Sequence, residues 1–89
     1  MSNKIYVNFL PPFDSLTGTK EAEIRLDKMI KTLEEFQRLI LEKYPQIKES
    51  NIQLEHIYYI INDNPPKKDK SININNGDKI TLYSPALGG

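Results

Sequence analysis

TLEEFQRLILEKY, residues 32–44, predicts the longest helix of this chain of 89 residues. Leu33, Phe36, Ile40 and Tyr44 recur at helical spacing and form an apolar stripe, while the intervening positions are mostly charged. An amphipathic helix of this kind is stable only when its apolar stripe is buried against another element. The rest of the chain must therefore supply a surface that this helix covers.

The ends of the helix are also readable in the sequence. Thr32 and Glu35 form a capping-box pattern, in which the threonine accepts from an early helix amide and the glutamate reaches back. Pro45 closes the helix, because the residue before a proline is pushed out of the α region.

Two strands precede the helix. Residues 4–10 alternate, with apolar side chains on one side, and residues 21–27 alternate again with charged side chains on the other side. The simplest arrangement is a hairpin of the two strands. Between them, residues 13–20 are expected to be a connecting loop.

Further strands follow the helix. Residues 57–61 are a compact apolar run, residues 71–74 could form a short strand, and residues 79–83 form the last strand after an Asn76-Gly77-Asp78 turn. Residues 46–56 are poorly periodic, so we expect an irregular connection with at most a short turn.

One arrangement buries both the helix stripe and the apolar sides of the strands: a single helix covering one face of a mixed sheet. The sequence therefore predicts an α+β fold of the β-grasp, or ubiquitin-like, type, with four to five strands. The last strand should lie in the middle of the sheet beside the first. Residues 1–83 would form the domain, and residues 84–89 a flexible tail that ends in Gly-Gly.

Composition limits the possible functions. Lysine plus arginine and aspartate plus glutamate both number 12, so nothing suggests a nucleic-acid or membrane-surface protein. The chain has no cysteine, which excludes disulfides, thiolate nucleophiles and cysteine zinc sites. No stretch has the form of a signal peptide or a membrane span, so we expect a cytoplasmic protein.

Catalytic patterns are missing from the sequence. His56 is the one histidine, and no acid or nucleophile stands at a spacing typical of a triad or a metal site. We therefore expect no enzyme activity of the chain itself, no bound cofactor and no metal. The reactive group that remains is the α-carboxylate of Gly89, which a partner can activate with ATP; Gly88 and Gly89 lack a Cβ and can pass through a narrow channel.

A tail that is ordered on binding loses conformational entropy, so the domain needs a docking surface that offsets this loss. The candidates are apolar or aromatic side chains on the sheet face away from the helix, together with two tail residues. They are Tyr6, Tyr58, Ile60, Thr81, Tyr83, Pro85 and Leu87. The alternative is an ordinary sheet surface, in which tyrosines are common.

Several short motifs occur in the order seen in one known family. They are Leu16-Thr17-Gly18, Thr32-Leu33, Glu42-Lys43-Tyr44-Pro45, Ile61-Asn62, Asn76-Gly77-Asp78-Lys79-Ile80 and the Pro-X-X-Gly-Gly ending from Pro85 to Gly89. Together they resemble the MoaD/ThiS sulfur-carrier family over nearly the whole chain, and the length resembles MoaD, the small subunit of molybdopterin synthase. Leu87 departs from the family, which usually has a small residue at this position.

The resemblance implies a mechanism and partners. An E1-like adenylyltransferase of the MoeB/ThiF type would adenylate the carboxylate of Gly89 with ATP, and a sulfurtransferase would convert it to a thiocarboxylate. The tail would then insert into a synthase large subunit of the MoaE type and deliver sulfur to the dithiolene of the molybdenum cofactor, in molybdopterin synthesis.

Two other functions remain open. The chain could instead be a ubiquitin-like modifier that is joined through Gly89 to lysines of target proteins. It could also be a β-grasp interaction module in which the diglycine has no role.

Overall fold

The computed structural model describes residues 3–28, 30–66 and 69–85. Within them, four strands form one sheet: β1 (Asn3–Phe9), β2 (Glu21–Leu26), β3 (Tyr58–Ile61) and β4 (Lys79–Tyr83). The order across the sheet is β2-β1-β4-β3, and β4 runs parallel to β1 but antiparallel to β3. The prediction that the last strand lies in the middle beside the first is confirmed.

The turn before β4 brings the last strand to the first. Gly77 has a φ of 88°, in the left-handed region that favours glycine. Its N–H donates to the carbonyl of Lys4, and the N–H of Tyr6 donates to the carbonyl of Asp78. The predicted turn at residues 76–78 is therefore confirmed, and it starts the parallel ladder between β1 and β4.

Three helices lie in the described residues: α1 (Phe13–Thr17), α2 (Leu33–Lys43) and α3 (Pro45–Glu49). The long helix α2 begins and ends where the sequence predicts. Its buried Phe36 meets the ring of Tyr59 in β3 edge to face, with centroids 6.0 Å apart. The helix stripe and one face of the sheet thus share a single core, formed by Ile5, Val7, Phe9, Phe13, Ile24, Leu33, Phe36, Ile40, Ile47, Ile57, Tyr59, Ile61, Ile74, Ile80 and Leu82.

The core also contains a polar side chain that the helical pattern does not predict. Gln37 is buried in α2, and its Nε2 has no hydrogen-bond partner among the described residues. Burial raises the pKa of the Tyr59 phenol, and the neighbouring Gln37 side chain lowers the same pKa by a smaller amount.

Two segments predicted to be irregular contain helices, so these predictions are wrong. Residues 13–17 form α1, which ends at Gly18 with a φ of 81° and buries Phe13 completely. Pro45 ends α2 but is also the first residue of α3, where its missing N–H costs nothing. A single 3-10 turn, Leu54–His56, follows. Residues 71–74 make an isolated bridge from Asn73 to Thr32 in place of a strand.

The capping pattern at the start of α2 is present. The Thr32 side chain accepts from the N–H of Glu35 at 3.3 Å. The Glu35 carboxylate reaches back one residue further than the usual capping box and accepts from the N–H of Lys31 at 3.3 Å.

Replacement of Thr32 by alanine removes the acceptor for the Glu35 N–H. We expect Thr32→Ala to lower the free energy of unfolding by about 1 kcal/mol, as loss of an N-cap usually does. Urea denaturation followed by circular dichroism measures the change. Ser15→Ala, which removes an exposed serine side chain elsewhere, is the control. Equal stability of the two variants would contradict a role of Thr32 as the cap.

Candidate functional site: the open sheet face and the base of the tail

The tail leaves the sheet from its centre, because β4 lies between β1 and β3. Ser84, which the sequence assigns to the tail, continues the inward alternation of Ile80 and Leu82 and is 5% exposed. Its Oγ has no hydrogen-bond partner among the described residues. Pro85 is the first exposed position after β4. The predicted site residues Leu87, Gly88 and Gly89 lie outside the described residues.

The sheet face away from α2, which we call the open face, carries the predicted docking residues. Inward side chains at Val7, Ile80 and Leu82 are buried, so the alternate positions of the same strands point to the open face. Strand register pairs Tyr58 with Tyr83, and their rings lie 5.7 Å apart in a tilted arrangement. The structure therefore brings these two predicted residues together at the end of the sheet from which the tail leaves.

Thr81 also belongs to the open face, but it is not accessible. Its register partners are Asn8 in β1 and Ile60 in β3, and it is only 7% exposed. The short side chain lies on a central strand and is covered by neighbours on both sides. Thr81 is thus a poor contact residue, in contrast to the prediction of an outward interface position.

Leu10 is a candidate that the sequence argument missed. It follows Tyr6 and Asn8 in the alternation of β1 and is 39% exposed. Its N–H donates to the carbonyl of Leu82 at 3.1 Å, which extends the parallel ladder and holds Leu10 beside Tyr83. The alternation of residues 4–10 was the available signal. We call Leu10, Tyr58, Ile60 and Tyr83 the tail-end patch.

Tyr6 lies away from this patch, near the start of β4, because its register partners are Lys79 and Glu23. It is 40% exposed and lines an open groove of about 410 Å³ with Asn8, Glu21, Glu23 and Lys79, over the β1–β2 side of the sheet. Tyr6 is therefore accessible as predicted but belongs to a polar region.

An ion pair defines the charge of that region. Lys4 Nζ lies 3.0 Å from Glu23 Oε1. The hydrogen bond with Lys4 lowers the pKa of the Glu23 carboxyl, and the same bond raises the pKa of the Lys4 ammonium. Both groups are exposed to solvent, so the pair contributes little to stability.

Other chemical sites are few in the described ranges 3–28, 30–66 and 69–85. They contain no group of three or more His, Asp or Glu side chains that could hold a metal ion. His56 is exposed in its 3-10 turn. None of the helices in this part of the chain has the length and apolar character that crossing a membrane requires.

Sequence comparisons do not identify the chain: no protein-family model and no curated protein matches it. Solved structures do match. Small archaeal modifier protein 1 from Methanosarcina acetivorans has a TM-score of 0.72 at 18% identity, covering all of this chain and 99% of that one. SAMP1 from Haloferax volcanii has a TM-score of 0.71 at 15% identity, covering 97% of this chain and 99% of that one.

A third similar structure is a candidate molybdopterin converting factor subunit 1 from Pyrococcus furiosus. Its TM-score is 0.72 at 19% identity, over 93% of this chain and 98% of that one. At identities below 20%, these matches show similarity of fold alone. Each match covers at least 93% of this chain and at least 98% of the other. The chain therefore has the compact α+β β-grasp fold of the archaeal small modifier proteins and of this molybdopterin converting factor subunit, with one main helix over a mixed four-stranded sheet.

Proposed function

We propose that the chain is a sulfur carrier whose Gly89 carboxylate is adenylated by an E1-like enzyme and then converted to a thiocarboxylate. The observation that carries this proposal concerns Ser84 and Pro85, the described residues that lead toward Gly89. They follow the central strand β4 directly, and the tail-end patch lies beside them. A partner that binds the patch is thereby placed next to the segment that leads to Gly89.

The chemistry follows from a terminal carboxylate. With a pKa near 3.5 it is ionised at neutral pH and is a poor electrophile. Attack of a carboxylate oxygen on the α-phosphorus of ATP releases pyrophosphate and gives an acyl-adenylate. Hydrosulfide from the sulfur source then attacks the carbonyl carbon, displaces AMP and, after loss of its proton, leaves the thiocarboxylate. The chain supplies the acyl group, and the enzyme supplies the binding of ATP and the catalysis.

Docking has to offset the ordering of the tail. Fixing the backbone costs about 1–2 kcal/mol per residue, so the five residues after the buried Ser84 cost on the order of 5–10 kcal/mol, partly reduced by Pro85. Burial of exposed and half-buried apolar side chains in the tail-end patch is a source of that free energy. This is why we assign partner binding to the patch as well as to the tail.

The destination of the sulfur is the finer part of the proposal. The motif order resembles MoaD, and one similar structure is described as a molybdopterin converting factor subunit. We therefore propose that the sulfur is delivered to the dithiolene of the molybdenum cofactor, in molybdopterin synthesis within a MoaE-type large subunit. Leu87 is the position to examine in that complex, because its side chain is larger than the small residue usual in the family and the channel of the large subunit would have to accommodate it.

A second function is favoured by a different observation. Similar structures from two archaea are described as small archaeal modifier proteins. In this alternative, a lysine amine of a target protein attacks the acyl-adenylate or a derived thioester of Gly89, and an isopeptide bond forms. The fold and the activation step are the same in both functions, and only the final nucleophile differs.

Intact-mass measurement separates these functions. The chain is incubated with the E1-like enzyme of its host, ATP and a sulfur source. A mass increase equal to the replacement of one oxygen by sulfur supports sulfur carriage. Adducts of high mass on lysine support modification. An unchanged mass in the presence of active enzyme would contradict both and would leave an interaction module.

Charge placed in the tail-end patch should weaken docking to the E1-like enzyme. Leu10→Arg puts an ion where a partially exposed leucine contacts the partner, and we expect affinity to fall by roughly tenfold or more. Titration calorimetry with the enzyme measures the change. Glu42→Arg, on the exposed side of α2, is the matched control and should bind normally. Equal binding by the two variants would remove the patch from the interface.

A further inference from the structure

The strand β2 forms one edge of the sheet, since its only strand neighbour among the described residues is β1. The N–H of Phe9 donates to the carbonyl of Lys20 at 2.8 Å, which fixes the phase of the antiparallel ladder. In such a ladder, alternate residues exchange hydrogen bonds with the neighbouring strand. Counting from Lys20, the backbone groups of even-numbered β2 residues face β1, and those of Glu21, Glu23 and Arg25 point away from the sheet.

One of these three positions is closed. The Thr19 hydroxyl donates to the carbonyl of Glu21 at 2.7 Å and accepts from its N–H at 3.3 Å. Within the described ranges, the outward backbone groups of Glu23 and Arg25 have no comparable partner. The open part of the edge is therefore short and consists of the backbone groups of these two residues.

We propose that a second copy of this chain pairs with this open edge, antiparallel and across a two-fold axis at Ile24. In that register Glu23 of each copy lies opposite Arg25 of the other, so opposite charges meet on the open face. All four uncommitted backbone groups of each edge find partners. On the helix side, the half-buried Ala22 meets the half-buried Leu26 of the second copy. The two sheets join into one sheet of eight strands.

Charge distribution within one copy favours this partner. Arg25 lies directly opposite Lys4 in the strand register, and it has no ion-pair partner among the described residues. Glu23 of the second copy would lie on the other side of Arg25 and balance the repulsion from Lys4. Glu23 keeps its own pair with Lys4 and gains a second cation.

Neighbouring registers are less favourable. Moving the axis by one residue toward the N-terminus puts Glu23 opposite Glu23, and it also requires the Glu21 groups that Thr19 already holds. Moving it by one residue toward the C-terminus puts Arg25 opposite Arg25. Like charges directly opposite each other destabilise a strand pair. The axis at Ile24 avoids like charges at the two open backbone positions and leaves Glu21 opposite Asp27 of the second copy only beyond them.

The contact is isologous and closes with two copies, so it predicts a dimer and no larger assembly. It is also small, which predicts a weak association that depends on concentration. The dimer does not depend on Gly89, and no residue of the tail-end patch belongs to β2. The inference therefore stands or fails independently of the proposed sulfur chemistry.

Sedimentation velocity over a range of concentrations tests the dimer. The unaltered chain should show reversible association. Glu23→Arg and Arg25→Glu each replace attraction by repulsion in two symmetric pairs, and each should weaken self-association at least tenfold. A mixture of the two single variants should associate again, because every opposing pair then joins a cation to an anion. The double variant Glu23→Arg/Arg25→Glu should also recover.

Glu21→Arg is the matched control, because Thr19 holds the backbone groups at that position and the register places it opposite the anionic Asp27 of the second copy. It should associate at least as strongly as the unaltered chain does. A chain that stays monomeric at every concentration would overturn the dimer. Failure of the mixed variants to associate would overturn the charge pairing. Weakening by Glu21→Arg equal to that by Arg25→Glu would overturn the register.

Discussion

Deletion of Gly89 is expected to abolish formation of both the acyl-adenylate and the thiocarboxylate. The deletion moves the terminal carboxylate by one residue, about 3.3–3.6 Å of extended chain, away from the phosphate it must attack. A displacement of even about 1 Å can cost roughly a hundredfold in rate when reacting groups must be held in contact. We therefore expect at least that loss in single-turnover assays of adenylation.

The free energy of unfolding should not change with this deletion. The fold rests on the core within residues 5–82, and Gly89 contributes no side chain to it. Urea denaturation of the two proteins gives the comparison. A loss of activity without a loss of stability would therefore locate the effect in the chemistry of the terminus and exclude misfolding as its cause.

Two matched variants make the Gly89 test specific. Extension of the chain by one glycine moves the carboxylate in the other direction and should inactivate equally. Arg38→Ala changes an exposed helix residue and should leave adenylation intact. Thiocarboxylate formation by the deletion variant at the normal rate would contradict the proposed carrier function.

The largest expected effect on stability comes from Phe36. Its side chain is fully buried and packs edge to face against Tyr59, so it joins α2 to the sheet. Phe36→Ala removes the buried ring and leaves a cavity, which typically costs about 3–5 kcal/mol. Natural domains have a total free energy of unfolding of only about 5–15 kcal/mol, and small ones lie at the low end. The variant should therefore be largely unfolded on mild heating.

Thermal and urea unfolding followed by circular dichroism measure this effect. Arg38→Ala lies in the same helix with its side chain exposed, and its change in free energy should stay within about 0.5 kcal/mol. If Phe36→Ala unfolded at the same urea concentration as Arg38→Ala, the helix–sheet contact would not be the centre of the core.

Elements with long, regular patterns were predictable because their signals are local. The stripe of α2 and the alternation in β1, β2 and β4 each repeat several times within one segment. A repeated pattern can be satisfied only by one kind of backbone. The predicted position of β4 followed from the need to bury every apolar stripe in one core.

The two short helices α1 and α3 were not predictable by periodicity, since five residues contain less than two helical turns. Contacts formed after folding stabilise them. Phe13 of α1 and Ile47 of α3 are fully buried in the common core, and each side chain thereby holds its helix against the domain. Residues typical of helix ends were nevertheless visible in the sequence, because Gly18 follows α1 and Pro45 opens α3.

The candidate site divides in the same way. Alternation in the sequence assigned Tyr58 and Tyr83 to one face, and the structure adds that register makes them neighbours. The alternation could not indicate that the Thr81 side chain would be covered, since its accessibility depends on which strands lie on either side of β4. Leu10 could have been assigned to the same face from the alternation of residues 4–10, whereas its position beside β4 depends on the parallel pairing of distant segments.

The secondary structure of the long elements, the β-grasp arrangement and the central position of the last strand were predictable from the sequence, because the apolar patterns are local and one arrangement buries all of them. The tertiary structure was needed to show which of the outward residues are accessible and which backbone groups of β2 remain open at the edge. The reason is that accessibility and edge position depend on strand order and register, which are set by contacts between residues far apart in the chain.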